Sequence, residues 1–153
     1  MSTDRTYLLV DGNNIVHAWP ELKDLLQRDK GLAHEKLRQL LEHYQDVSGV
    51  RVVLVFDGRD EHMEAQQNRD EHEVQVFYSD SSHTADDIIE RLSAKYAERY
   101  QITVATNDLA EQSIVYSLGA EVISAEGLRQ QLESFQGVMD DWLKRYRRNS
   151  DNR

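Results

Sequence analysis

The sequence predicts an α/β domain built on a mainly parallel sheet. Three observations carry this. Apolar runs at 6–10, 50–56 and 101–105 are short and nearly uninterrupted, as strands covered on both faces are. Segments with helical spacing separate them. Three apolar stretches also end on an aspartate: Asp11 in YLLVDGNN, Asp57 in VVLVFDG and Asp108 in ITVATND.

Residues 6–10, TYLLV, give the first strand, and Asp11-Gly12-Asn13-Asn14 reads as the turn after it. Gly12 permits close backbone approach there. Residues 15–19 suit a short helical turn that Pro20 ends by restricting Trp19. Residues 21–31 read as a small helix followed by a loop. From 32 to 47, Ala33, Leu37, Leu40, Leu41 and Tyr44 recur at three- and four-residue spacing, and Ser48-Gly49 closes that helix. The strand at 50–56 completes a strand–helix–strand unit, which is normally parallel and right-handed. Residues 57–69 read as a polar loop with one short helix near 61–67; a loop of this length is usually functional. Val74 and Val76 alternate in a third strand, 73–78, which places it nearer a sheet edge.

Thr84 is an N-cap, with Asp87 in a capping-box relation. The helix it opens, 85–99, carries Ile88, Ile89, Leu92 and Tyr96 on one face. A fourth strand at 101–105, a helix at 109–118 and a fifth strand at 120–124 follow. Ser124 caps a further helix bearing Leu128 and Leu132, and a break falls at 134–137. The final segment, 138–146, spaces Met139, Trp142 and Tyr146 for packing. One domain is expected over 1–146, with 147–153 a frayed basic tail.

Composition narrows the function classes. The chain has 153 residues, 39% of them apolar, enough for a core. It has no cysteine, which excludes disulfides and thiolate metal sites and favours a cytoplasmic setting. No apolar run approaches the ~20 residues of a membrane span, and the N-terminus lacks the apolar stretch of a secretion signal. The net charge of -10 argues against an open basic surface that holds nucleic acid by phosphate neutralisation alone. Bound divalent ions would invert the local field around a carboxylate cluster. Charge is also uneven, for Lys144, Arg145, Arg147, Arg148 and Arg153 crowd the C-terminal end against Asp151.

Ligands of an open parallel sheet sit beyond the C-terminal strand ends. Asp11, Asp57 and Asp108 fall there, and Asp86 and Asp87 open a helix that starts on the same side. Like charges so placed repel unless a cation joins them. An all-oxygen set suits Mg2+ or Mn2+, whose chemistry is phosphodiester hydrolysis. Asp11 and Asp108 are the leading ligands, Asp86 the next, and Asp87 either a ligand or a cap. Asn14 is placed to orient water or phosphate, and Thr106 and Asn107 to donate hydrogen bonds at the rim. Asp57 is a supporting candidate, although Asp-Gly is also an ordinary turn signal. Any one of these aspartates has the alternative explanation of a turn or cap. His17, His34, His43, His62, His72 and His83 lack zinc-like spacing. His17 and Trp19 could line a nucleotide rim or simply pack.

The segments YLLVDGNNIVHAWPEL, VVLVFDGR, TADDIIERL and VATNDLAEQ, in that order, resemble the YacP-like branch of the NYN domains, within the PIN-like nuclease superfamily. The resemblance implies a three-layer fold with a central mainly parallel sheet flanked by helices. It also implies a divalent-metal endoribonuclease site with Asp11, Asn14, Asp86, Asp87 and Asp108 in the matching positions. It further implies RNA as partner, messenger RNA on translating ribosomes in particular. The competing reading is a non-catalytic RNA- or ribosome-binding protein on the same fold.

Overall fold

Among the described residues, five strands form one parallel sheet, in which the third, second, first, fourth and fifth strands of the chain lie side by side in that order. They are β1 (Thr6–Asp11), β2 (Arg51–Phe56), β3 (Gln75–Tyr78), β4 (Gln101–Ala105) and β5 (Glu121–Ile123). The helices are α1 (Gly12–Ala18), α2 (Pro20–Arg28), α3 (Lys30–Ser48), α4 (Ala85–Tyr96), α5 (Leu109–Ser117), α6 (Ala125–Glu133) and α7 (Val138–Asp151). This computed structural model describes residues 5–58, 73–80, 82–135 and 137–151. Among them, no helix is long and apolar enough to cross a membrane.

Strand alternation explains the apolar runs. Leu8, Val10, Val52, Leu54, Phe56 and Val76 point into one core, completed by residues of α1, α2, α3, α6 and α7. Leu9, Val53, Val55, Ile102 and Val104 point into a second core, completed by α4 and α5. Helices therefore cover both faces, and each central strand must be apolar at successive positions. Two tryptophans lock the larger core. Trp19 Nε1 donates to Ala125 O at 3.0 Å, and Trp142 Nε1 donates to Lys36 O at 3.0 Å. Their rings meet edge to face with centroids 6.2 Å apart.

Local chemistry changes several expected boundaries. Asp11 is the N-cap of α1, so Gly12-Asn13-Asn14 is its first turn and not a separate turn. A Cβ on Gly12 would stand 2.4 Å from the Phe56 ring, so only glycine lets α1 lie this close to β2. Pro20 starts α2 at its first helical position, where a missing N–H costs nothing. The expected loop before 32 is absent. Asp29 accepts from Leu32 N at 3.1 Å and caps α3 directly after α2, leaving Gly31 inside the helix. Gly49, at φ 79°, ends α3 as expected. Thr84 and Asp87 form both bonds of the predicted capping box, and β3 lies at the predicted edge. At the other terminus, α7 continues past Tyr146 to Asp151, beyond the expected start of fraying. Most of the polar loop expected at 57–69, with Arg59 and Arg69, lies outside the described residues.

The sheet order places a switch point between β1 and β4. The chain leaves β1 toward β2 on one side and returns through α4 to β4 on the other. A crevice at the C-terminal strand ends is the geometric consequence.

Candidate metal centre

Asp11 ends β1 in that crevice, with 6% of its surface exposed. One carboxylate oxygen, Oδ1, faces the Asn14 N–H at 3.4 Å. The other accepts from Thr106 Oγ1 at 3.2 Å. Asp86 enters from the first turn of α4, and Glu111 from the first turn of α5. Each of Asp11, Asp86 and Glu111 offers one oxygen, and these oxygens lie within 4.8 Å of one another.

Among the described residues, the cluster is short of positive charge. Glu111 is 1% exposed. Burial, then the adjoining Asp11 carboxylate, push its pKa up to about 9. Burial also raises Asp11, and the Asp86 charge adds to the rise, against the lowering effects of the adjoining Glu111 side chain, the Asn14 N–H and the Thr106 hydroxyl. Neither Glu111 oxygen receives a hydrogen bond from a described donor. Two buried carboxylates this close require a shared proton or a cation between them. The adjoining pocket encloses about 480 Å³ and is lined by Asp11, Asn13, Asn14, His17, Asp57, Thr84, Ala85 and Asp86, with no lysine or arginine among the described residues.

Of the acids expected from sequence, Asp11 and Asp86 therefore meet. Asp108 stands outside this three-acid group. Its Oδ1 accepts from Ala110 N at 2.9 Å and Glu111 N at 3.1 Å, so its carboxylate caps α5. Asp87 also caps its helix, its Oδ2 accepting from Thr84 N at 3.2 Å, and it too stands outside the three-acid group. Asp57 lines the pocket but stands outside the three-acid group, where Ser79 Oγ donates to it at 2.8 Å. Trp19 is buried in the core and forms no rim. His17 does line the pocket.

The amides fasten the strand ends to one another. Asn13 Oδ1 accepts from Asp57 N at 2.6 Å, Asn14 Oδ1 from Asn107 N at 2.7 Å, and Asn107 Oδ1 from Ala125 N at 2.8 Å. A backbone N–H only donates, so these bonds fix which way each amide points. The NH2 groups of Asn13 and Asn14, two residues lining the pocket, remain for a bound oxygen. Thr106, fully buried, donates to Asp11 and accepts from Asp108 N at 3.1 Å, coupling the β1 acid to the α5 cap.

A sequence profile of the YacP-like NYN domain matches residues 8–153. The chain belongs to this family. It is 37% identical over 131 residues to "Uncharacterized protein YacP" of Bacillus subtilis (strain 168), spanning 84% of this chain and 76% of that protein. A crystal structure of Rae1 (YacP) from Bacillus subtilis superposes with a TM-score of 0.71 at 34% identity, covering 95% of this chain and 82% of the other. A mutant of the same protein gives 0.72 at 33% identity, covering 94% and 82%. Membership supports a nuclease-type, RNA-related role for this YacP-like NYN domain. The acidic cluster fits a divalent metal.

The residue that sequence reasoning missed is Glu111. It follows Asp108 by three positions, where an acid passes for a capping-box partner. Its signal was periodicity. Glu111 and Val115 lie one turn apart and are the two buried residues of α5. A glutamate on a core-facing position needs a partner of its own.

Proposed function

We propose that this protein is a divalent-metal-dependent endoribonuclease that hydrolyses RNA phosphodiesters, with messenger RNA on translating ribosomes as its substrate. One observation supports the reading: Asp11, Asp86 and Glu111 converge in a crevice, and the buried Glu111 oxygens receive no hydrogen bond from a described donor. Such a donor set, all carboxylate oxygen, fits Mg2+ or Mn2+. A cation held there would supply an acidified water and neutralise phosphate oxygens.

The chain's own residues do the rest. Asp11, Asp86 and Glu111 would hold the ion. Thr106 fixes the Asp11 carboxylate, while the Asp108 cap and the Thr84–Asp87 box set where α5 and α4 begin. The NH2 groups of Asn13 and Asn14 are placed to bind phosphate or ribose oxygens and orient the strand. The acidic pocket and the net charge of -10 favour a substrate oriented by a larger partner over tight capture of free RNA.

Purified protein given Mn2+ should cleave RNA, on translating ribosomes if not free in solution. Asp11→Asn and Glu111→Gln should each abolish the cleavage while the fold is retained. If both variants keep the cellular effect of the wild type, the protein acts by binding and the enzymatic reading is wrong.

A further inference from the structure

The two faces of the sheet are covered unequally. Residues of α1, α2, α3, α6 and α7 pack on one face, and those of α4 and α5 on the other. On this second face, beside α4, lies a hollow of about 360 Å³. Leu9 and Val53 of the sheet lie beneath it, and the rings of Tyr7, Phe77, Tyr96 and Tyr100 line it. Tyr7 and Tyr100 meet edge to face with centroids 5.2 Å apart, and Tyr96 and Tyr100, at 6.1 Å, are tilted by 44°. Neither pair is stacked in parallel, so flat aromatic surface remains for a planar ring.

The fringe of the hollow is polar and positive. The hydroxyls of Tyr7, Tyr96 and Tyr100 and the side-chain amide of Gln75, which also lines it, make no hydrogen bond with a described residue. Lys95 Nζ lies 5.3 Å from the Tyr96 ring centroid, and Arg99 Cζ lies 5.9 Å from that of Tyr100. Both cations are exposed, and no described carboxylate pairs with either. Arg91, one turn before Lys95, is exposed as well. Residues 91–100 thus hold three cations against Glu98, in a chain of net charge -10.

An apolar side chain of a protein partner would fill the hollow and leave these hydroxyls, amide and cations unmet. A nucleotide meets all of them. Its base stacks on tyrosine, its polar edge bonds to hydroxyl and amide, and its phosphate faces the cations. The position fits a strand that also reaches the acidic crevice. Tyr7, Leu9 and Asp11 alternate onto one face of β1, with Tyr7 about 13 Å of strand from Asp11. Lys95 follows Asp86 along α4 by about 14 Å of helix rise.

We propose that this hollow is a base-binding site, in which an unpaired base of the RNA strand stacks among Tyr7, Tyr96 and Tyr100 while Lys95 and Arg99 hold its phosphates. The inference rests on RNA being the substrate, and it places the grip on the strand away from the acidic crevice.

The test is binding of a labelled single-stranded oligoribonucleotide to the full-length protein in EDTA, compared with a strand of the same length whose sugars carry no bases. The wild type should bind the abasic strand about tenfold more weakly. Tyr96→Leu with Tyr100→Leu should weaken binding of the normal strand by a similar factor and leave the abasic strand unaffected, with the fold checked by thermal melting. Lys95→Gln with Arg99→Gln, both at exposed positions, decides the matter if the tyrosine variant fails to fold. It should reduce the slope of log K against log[salt] by about 1.4, at about 0.7 for each phosphate. Equal binding of the two strands by the wild type overturns the proposal. So does wild-type affinity and slope in the folded variants, the result expected if the hollow takes an apolar protein segment. An equal fall in slope with Lys144→Gln and Arg147→Gln on α7 also overturns it, because the effect would then be diffuse charge. Free AMP bound as tightly as the strand overturns it too, by assigning the hollow to a mononucleotide. Base-dependent binding lost in the variants, with no cleavage under Mn2+, would sink only the nuclease reading. Cleavage with base-independent binding would sink only this one.

Discussion

Glu111→Gln separates a metal ligand from a buried structural acid. In the metal-free protein, Glu111 titrates near 9 when folded, against an ordinary 4.5. The folded state therefore keeps a proton that the unfolded state releases across this interval. A raised acid contributes stability that is fully present below about pH 4.5 and lost as pH rises through about 9. One proton limits the slope to about 1.4 kcal/mol per pH unit. For a domain of this size that is at most roughly 3–6 °C of melting temperature per pH unit. Glutamine keeps the shape and removes the titration, and it relieves Asp11 of its nearest negative neighbour. In EDTA, the wild type should lose melting temperature steadily from weakly acid to weakly alkaline pH, and the variant should lose much less. Mn2+ should invert the comparison. The cation takes the place of the proton, so it should raise the wild-type melting temperature most at alkaline pH and leave the variant nearly unmoved. Thermal melts over the pH series, with EDTA and with Mn2+, measure both effects. Equal slopes in EDTA, or equal protection by Mn2+, would refute the assignment of Glu111.

Substitutions at three further positions test the supporting parts. Asp108→Ser keeps an oxygen for the α5 N-cap, so cleavage and stability should stay near wild type, whereas Asp108→Ala should cost about 1 kcal/mol in denaturant melts; equal loss of activity in both would restore Asp108 as a ligand. Thr106→Val retains volume but strands the Asp108 N–H and frees one Asp11 oxygen. It should cost about 1–3 kcal/mol and lower Mn2+ affinity by calorimetry, and unchanged affinity would remove Thr106 from the metal support. Gly12→Ala would put a methyl 2.4 Å from the Phe56 ring, itself stacked on His34 at 3.8 Å. Overpacking of this kind should cost about 1–3 kcal/mol, and a fully stable variant would show that α1 can move away from β2.

The parallel sheet was legible because its strands are apolar on successive residues. Val52, Val53, Leu54, Val55 and Phe56 divide between the two cores, and only burial on both faces demands that composition. Caps with a side-chain oxygen were equally readable at Thr84 and Ser124. The stretch from Asp11 to Gly31 was harder. Asp11, Pro20 and Asp29 each start a helix immediately after the preceding element, so three short helices follow one another with almost no intervening chain. Gly12 and Gly31 look like turn residues in the sequence. In the fold, one is a close contact and the other a tolerated helical position, a distinction decided by the Phe56 ring, distant in sequence, and by the Asp29 side chain, which caps a helix where it could equally have made a turn.

The site was legible at its strand end and ambiguous at its helix starts, for one physical reason. An acid at a helix N-terminus can serve the helix or a ligand, and its neighbours in sequence do not say which. Asp108 has the capping position itself, and two backbone N–H groups claim one of its oxygens. Glu111, one turn on, has a longer side chain and a core-facing position, so it reaches Asp11 without serving the backbone. The two residues divide the work: the shorter acid orients the helix, and the longer one carries charge into the crevice. Asp87 and Asp86 repeat the division at α4, with Asp87 closing the capping box and Asp86 turned to the cluster. In both helices the capping acid is bonded to the backbone, while no described donor bonds the Glu111 oxygens. The member turned to the crevice is the better candidate ligand, since a cation there offsets the burial of Glu111 without the proton it otherwise keeps.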